Sequence, residues 1–432
     1  MNLVNGKIIS GAECDDVLEK IDEMITATLC KPLLDVNTVM NACDYLACNI
    51  ESLEVINRLP ELGVSNRLAE MYLGQIKEML SAEALKNRIK TELGDAYDKP
   101  RTLTYLHSGA TAVQMIAPLG VLFHITAGNV DGLPFVSVLE GLLTGNINIV
   151  KLPKEEGGIT VSLLEELFKV EPSLREYVYV FDYSSKDIYA MNKLAKVADA
   201  IVIWGGDEAV KAVRSLADPN TKIIEWGHKI SFAYVTMNGI NNDSLERLAE
   251  NICLTNQLFC SSCQGVFLDT DDMEEIYTFC EMFLPILERI SYRNPIALDS
   301  ASELFAKAQV TLQLYHAKIE NRNSDSRIFR GRDCSISAYS DSILEPSIMY
   351  RNIWVKPLKK EKIISLRPYK GYLQTAALIC SDDEHDDVSR NLLQTGLVKI
   401  SDGFDMSNYA FGEAHDGVFT LRGYTKLVSV QK

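Results

Sequence analysis

Cys260 lies in the stretch NQLFCSSCQGVF, among small hydroxyl residues and just ahead of the strand-like run Gly265, Val266, Phe267, Leu268. Three kinds of chemistry are open to such a thiol. Buried, it is inert packing. Paired with Cys263 as CxxC, it could bind metal or cycle as a dithiol; ionised and accessible, it is a nucleophile. No second pair follows at zinc-ribbon spacing, and redox CxxC motifs open a helix rather than precede a strand, so the pair carries little weight. The ten cysteines run from Cys14 to Cys380 without framework spacing, which predicts reduced thiols and no metal site.

A second candidate is IVIWGGDEAVKAV, where a strand ends in Gly205 and Gly206 and a helix opens at Asp207. Such a turn lets backbone N–H groups face an anion, although a plain strand-to-helix turn reads the same way. GxGxxG, GxxxxGK[ST] and HExxH do not occur.

The elements that must position these residues follow from apolar spacing. From about Cys14 to Leu93 the pattern is helical. PLGVLFHITAGNV and GNINIVKLPKEEG read as buried strands with a helix between them, and the alternation continues through TKIIEWG. Repeated strand–helix alternation predicts a mostly parallel, doubly wound sheet with ligands at strand carboxyl ends. After HKISFAYVTMNG the pattern restarts, predicting a second α/β domain around the cysteine segment. From about Asn294 to Lys362 the chain is less regular, and its basic clusters, Arg327, Arg330, Arg332 and Lys356, Lys359, Lys360, Lys362, read as a solvated face.

With a net charge of −16, the surface as a whole is unsuited to nucleic acid or an anionic membrane. No apolar run approaches a spanning helix, and MNLVNGKIISGAECDD lacks the features of a signal peptide, so a cytoplasmic protein is expected.

Taken together, the segments resemble the aldehyde dehydrogenase superfamily, and within it the LuxC-type long-chain acyl-CoA reductases, over roughly Thr102 to the C-terminus. GVLFHITAGNVDGLPF looks like the oxyanion strand, whose amide falls on Asn129. NINIVKLPKEEG is similar to the strand-end motif that holds the adenosine ribose, which falls on Lys151. IWGGDEAV matches the glycine pair near the cofactor phosphates, Gly205 and Gly206. IIEWGHK resembles the glutamate-x-glycine-glycine-lysine motif, giving Glu225 and Gly227, with His228 in place of the second glycine. NQLFCSS resembles the nucleophile segment, with Cys260. CSSCQ, ISFAY, GYLQTAAL and the HDG beginning at His415 favour the reductase subfamily.

The resemblance implies an aldehyde dehydrogenase-like α/β fold. Residues 1–228 would form the helical lead-in and Rossmann-like cofactor domain, 229–400 the catalytic domain, and 401–432 a C-terminal segment returning to the cofactor domain or a partner subunit. It implies a fatty acyl-CoA or acyl-protein substrate, an acyl-protein synthetase as partner, a homo-oligomer, and reduction to the aldehyde through a Cys260 thioester. NADPH is expected because Lys154 stands where the superfamily's NAD enzymes often carry a ribose-binding glutamate, and a cation there suits a 2′-phosphate. Glu225 fits a reductase less easily: in aldehyde oxidation it would activate the thiol or a deacylating water, whereas a reductase gains nothing from hydrolysis. Two alternatives stay open on the sequence, an aldehyde dehydrogenase forming acid and a non-catalytic acyl-transfer subunit.

Overall fold

The predicted alternation resolves into two large sheets, one in each of two units. The computed structural model describes residues 1–52, 66–95, 97, 99–126, 132–153, 158–296, 304, 307–312, 326–408 and 412–431, with backbone alone for 66–72. Met1–Arg58, Met71–Gly227 and Ala410–Lys432 make the first unit; Leu59–Glu70 and His228–Tyr409 make the second.

The first unit contains β1 (Asn2–Val4), β2 (Lys7–Ile9), β3 (Arg101–Thr104), β4 (Thr111–Pro118), β5 (Val121–Ile125), β6 (Ile147–Lys151), β7 (Val178–Phe181), β8 (Ala200–Trp204) and β9 (Lys222–Trp226). All but β3 and β4 form one sheet, in the order β2-β1-β7-β6-β5-β8-β9. β5 to β9 pair in parallel. The chain runs outward from β5 to β7 and then crosses back to place β8 on the other flank of β5, which is the strand-order reversal of a dinucleotide-binding sheet. VLFHI in β5 is buried throughout, as expected of a strand covered on both faces.

One face is covered by the helix Gly11–Leu29, which opens on a Ser10–Glu13 capping box and buries Cys14, Leu18, Ile21 and Ile25 at helical spacing against Phe123, Ile149 and Phe181. On the other face Leu122, Val202 and Trp226 pack with Tyr424. There too His124 is fully buried, Nδ1 2.7 Å from Ser137 Oγ and Nε2 3.0 Å from Asn148 Oδ1. Burial pushes its pKa down to about 4, so the imidazole is neutral. The antiparallel hairpin β1–β2, which extends the sheet along β7, goes unmarked in the sequence, because three-residue strands are too short to show alternation.

The second unit holds β10 (Ile230–Val235), β11 (Cys263–Leu268), β12 (Arg327–Arg330), β13 (Ser335–Ala338), β14 (Asn352–Pro357), β15 (Leu373–Ile379) and β16 (Lys399–Ser401), in the order β12-β13-β14-β11-β10-β15-β16. Only β12 pairs antiparallel. The helices Asn242–Thr255 and Met273–Arg293 bury Leu248, Ile252, Phe279 and Phe283 on one face. Ile363, Leu366, Val388 and Leu392 cover the other.

The expected solvated basic face needs one correction. Lys356 is 1% exposed in β14, its ammonium 2.7 Å from both Asp341 and Glu345. It is a compensated interior cation, since a buried charge is tolerated only when paired.

The last strand, β17 (Thr425–Gln431), pairs with β4 in the first unit and completes a three-stranded sheet with β3. Upstream of it, Leu421 N–H donates to Glu92 Oε2 at 2.7 Å, and Asn146 Nδ2 donates to Tyr424 O at 3.0 Å. Among the described residues, no helix is long and apolar enough to cross a membrane.

Candidate active site

The turn that carries Cys260 begins where the helix Asn242–Thr255 ends. Asn256 and Gln257 are both left-handed, with φ of 47° and 63°, and reverse the chain sharply. Ser262 N–H then donates to Phe259 O at 3.0 Å, and Phe259 N–H to Ser262 Oγ at 3.1 Å, closing a tight turn before β11. Gln257 fastens it to the sheet, donating to Cys263 O and accepting from Asn352 N–H, each at 3.0 Å.

Arg351 anchors the same turn from below. Only 2% exposed, it donates through Nε to Asn256 Oδ1 at 3.2 Å, through Nη2 to Cys253 O at 3.2 Å, and through Nη1 to Ser291 Oγ at 2.7 Å and Ser291 O at 3.0 Å; Nη2 also reaches Asn294 O. These acceptors lie at the carboxyl ends of Asn242–Thr255 and Met273–Arg293. One guanidinium therefore caps two helices, where a positive charge is favoured.

The two thiols of the CxxC pair are in different environments. Cys263 is buried in β11, its thiol donating to Gly265 O at 3.2 Å, and burial pushes its pKa up to about 12. Cys260 is exposed. Its Sγ accepts the side-chain N–H of Gln374 at 3.3 Å, and its carbonyl accepts the Ser231 hydroxyl at 2.7 Å. Ser231 is the second residue of β10 and Gln374 the second of β15, so the exposed sulfur sits at the amino edge of this sheet.

In the first unit, Lys151 ends β6, with its carbonyl accepting from Thr126 Oγ1 at 3.2 Å. Gly205 and Gly206 follow β8, and Glu225 lies one residue before the end of β9. Parallel pairing brings them all to the carboxyl edge of one sheet, around the strand-order reversal. Gly206 precedes the helix Asp207–Leu216, and a Cβ on Gly205 would come within 3.1 Å of Ala209 Cβ, so this turn is drawn tightly onto the helix. Gly227 ends the segment Met71–Gly227 of the unit. Asn129 and Lys154 lie outside the described residues. The strand order and glycine turn fit a dinucleotide, while Asp207 and Glu208 in the first helical turn compete with a pyrophosphate for the helix N-terminus. A cavity of about 570 Å³ in this unit, lined by Leu33, Met40 and Pro118 among others, lies toward the amino ends of β5 and β6, away from these residues.

Several site contacts were not visible in the sequence. Arg214 binds Glu225 Oε1, its Nε at 2.7 Å. Trp204 and Trp226 stack with centroids 5.3 Å apart at 27°, and the His415 ring packs 4.9 Å from Trp226. Ser231, Gln374 and Arg351 each left a weak trace, a polar residue inside or beside an apolar run.

A doubly wound sheet with this strand order, and a second α/β unit presenting an exposed cysteine ahead of a strand, are the parts of an aldehyde dehydrogenase fold, and solved structures agree. An NAD-dependent benzaldehyde dehydrogenase from Corynebacterium glutamicum matches with a TM-score of 0.71 at 14% identity, covering 100% of this chain and 98% of that one. An NADP-dependent glyceraldehyde-3-phosphate dehydrogenase from Bacillus halodurans C-125 matches at 0.71 and 15%, with the same coverage. Residues 34–427 match the acyl-CoA reductase (LuxC) family, and the chain belongs to it. A long-chain acyl-protein thioester reductase from Photobacterium phosphoreum is 22% identical over 379 residues, 86% of this chain and 74% of that one.

Proposed function

We propose that this oxidoreductase reduces a fatty acyl thioester to the aldehyde with NADPH, through a covalent thioester on Cys260. The observation that carries the reading is the contrast within CxxC: Cys260 is exposed and accepts an amide N–H, whereas Cys263 is buried with its pKa pushed up to about 12. Only the first can meet a substrate as thiolate.

Cys260 Sγ attacks the thioester carbonyl; the tetrahedral oxyanion is held by backbone N–H beside Cys260 and, on the family resemblance, by the Asn129 amide. Collapse breaks the carbon–sulfur bond to the donor, which leaves as thiolate, and the acyl group stays on Cys260. This exchange is nearly isoenergetic because one thioester replaces another. Lys151, Lys154, Gly205, Gly206 and Gly227 would hold the dinucleotide, which when bound supplies the hydride that takes the acyl carbon to the aldehyde level. Cys260 then departs as thiolate. Glu225, ion-paired to Arg214, is not needed as a base for a deacylating water.

The acyl donor in this reading is an acyl-CoA or an acyl-protein, the latter supported by the name of the Photobacterium relative and supplied by an acyl-protein synthetase. Leu103, Met115, Leu427 and Val430, exposed on the three-stranded sheet, support a homo-oligomer. Reduced cysteines and a CoA-linked substrate fit the cytoplasm.

Intact-mass analysis after incubation with acyl-CoAs of graded length, without reduced cofactor, tests the reading. A single acyl adduct mapping to Cys260 and lost in Cys260→Ala supports it. An adduct on Cys263, or NADPH-dependent aldehyde formation by Cys260→Ala, overturns it. Formation of acid from aldehyde and water, without CoA-dependent reduction, would instead support an aldehyde dehydrogenase.

A further inference from the structure

Three strands meet at the amino edge beneath Cys260, and two ladders lose regular register there. The β10–β11 pairing shifts between Ser231 and Ala233, and the β10–β15 pairing shifts between Ile230 and Phe232. Such irregularities re-aim side chains and gather beside active sites. Here the re-aimed residue is Ser231, whose hydroxyl donates to Cys260 O at 2.7 Å and accepts Thr375 N–H at 3.1 Å. The next residue along β15 toward this edge is Gln374, 1% exposed, whose Nε2 donates to Cys260 Sγ at 3.3 Å. A buried, uncharged amide thus presents an N–H to an exposed sulfur, while Ser231 fixes the backbone of the same cysteine.

We infer that Gln374 is a catalytic residue that stabilises Cys260 as thiolate and aims its sulfur. A hydrogen bond strengthens when its acceptor becomes charged, so this contact favours S⁻ over S–H. An acylated sulfur is a poorer acceptor, so the same bond favours the two states in which Cys260 is a thiolate, before attack and after aldehyde release. An amide does this without titrating, whereas a lysine or histidine would itself change charge with pH. The inference rests on Cys260 being the nucleophile of the proposed reaction.

Ionisable groups flank the contact on each element. Lys229 precedes β10, with its ammonium on Gly371 O at 2.7 Å. Lys370 and Tyr372 precede β15, Cys263 opens β11, and Glu250 lies in the helix before the cysteine turn. All remain when only the amide is changed, so a difference between wild type and variant reports Gln374.

The test is the pH dependence of Cys260 alkylation by iodoacetamide, followed by peptide mapping, in the wild type, Gln374→Leu and Gln374→Glu. Leucine removes the donor, and glutamate, almost the same shape, replaces part of it with a negative charge. About tenfold less thiolate at pH 7 is expected for Gln374→Leu, and less still for Gln374→Glu, in proteins with wild-type circular dichroism. Should one variant fail to fold, the other carries the comparison. An unshifted alkylation profile in a folded variant overturns the inference. The readout needs neither acyl donor nor cofactor: an unshifted profile with an acyl adduct on wild-type Cys260 removes Gln374 alone, whereas a shifted profile with reductase activity surviving in Cys260→Ala removes the thioester reading, and with it the catalytic role of Gln374, while its effect on the thiol stands.

Discussion

Gly265 and Trp354 are paired across β11 and β14 so closely that a Cβ on Gly265 would fall 2.0 Å from Trp354 Cδ2. The glycine that follows the CSSCQ segment is thus a packing requirement of the strand the cysteine turn leads into. We expect Gly265→Ala to destabilise the second unit by about 1–3 kcal/mol, as overpacking does, and Trp354→Val to restore part of the loss. Hydrogen exchange of peptides spanning β11 and β14 measures both; unchanged protection in Gly265→Ala would refute the close-packing argument.

Arg351 makes a second prediction. Arg351→Met would leave the buried acceptors at Cys253, Ser291 and Asn294 without this donor, at about 1–3 kcal/mol for each unsatisfied group. The loss should be at least about 3 kcal/mol and should be localised to the ends of the helices Asn242–Thr255 and Met273–Arg293. Hydrogen exchange confined to loop residues, with both helix ends still protected, would contradict it.

His124 gives the first unit a pH dependence of known sign. Its pKa is about 4 in the folded chain against 6.5 for an unperturbed histidine, because burial disfavours the charged ring. The unfolded chain therefore binds the extra proton first as pH falls. His124's contribution is fully present above about pH 6.5 and is lost progressively toward pH 4, by roughly 3 kcal/mol in all. His124→Gln should flatten the dependence of the urea midpoint over that window; an equally steep profile would count against it.

Cofactor choice turns on Lys154. A 2′-phosphate brings nearly two negative charges to a chain of net charge −16, and needs a cation nearby. We expect Lys154→Glu to weaken NADPH use at least about tenfold, roughly 1.4 kcal/mol, and NADH use less. Equal losses in steady-state kinetics with the two cofactors would show that Lys154 does not read the phosphate.

The parallel strands were legible because both their faces are covered. β5 and β8 are near-continuous apolar runs bounded by turn residues, and the helix Ile159–Val170 coincides with the apolar period of ITVSLLEELFKV. The stretch from Asn294 to Lys362 was not, since β13 is only Ser-Ile-Ser-Ala and Lys356 interrupts β14 with a charge whose partners come from the preceding loop. At the candidate site, the turn after Gln257 could be read from local chemistry. Its anchors could not: Gln374 is 114 residues from Cys260, and Arg351 is 95 from Asn256, separations at which spacing carries no signal.

The hydrogen bonds from Leu421 to Glu92 and from Asn146 to Tyr424 join residues 329 and 278 apart. During synthesis, the stretch His228–Tyr409 emerges from the ribosome ahead of Ala410–Lys432. The second unit can therefore gather its sheet while the first still lacks Tyr424 and β17. Until those residues emerge, Leu122, Val202 and Trp226 have no Tyr424 to cover them and β4 keeps an open edge. Ala410–Lys432 acts as a late latch, and a ribosome that stalls before it leaves a nascent chain with a sticky, half-closed first unit.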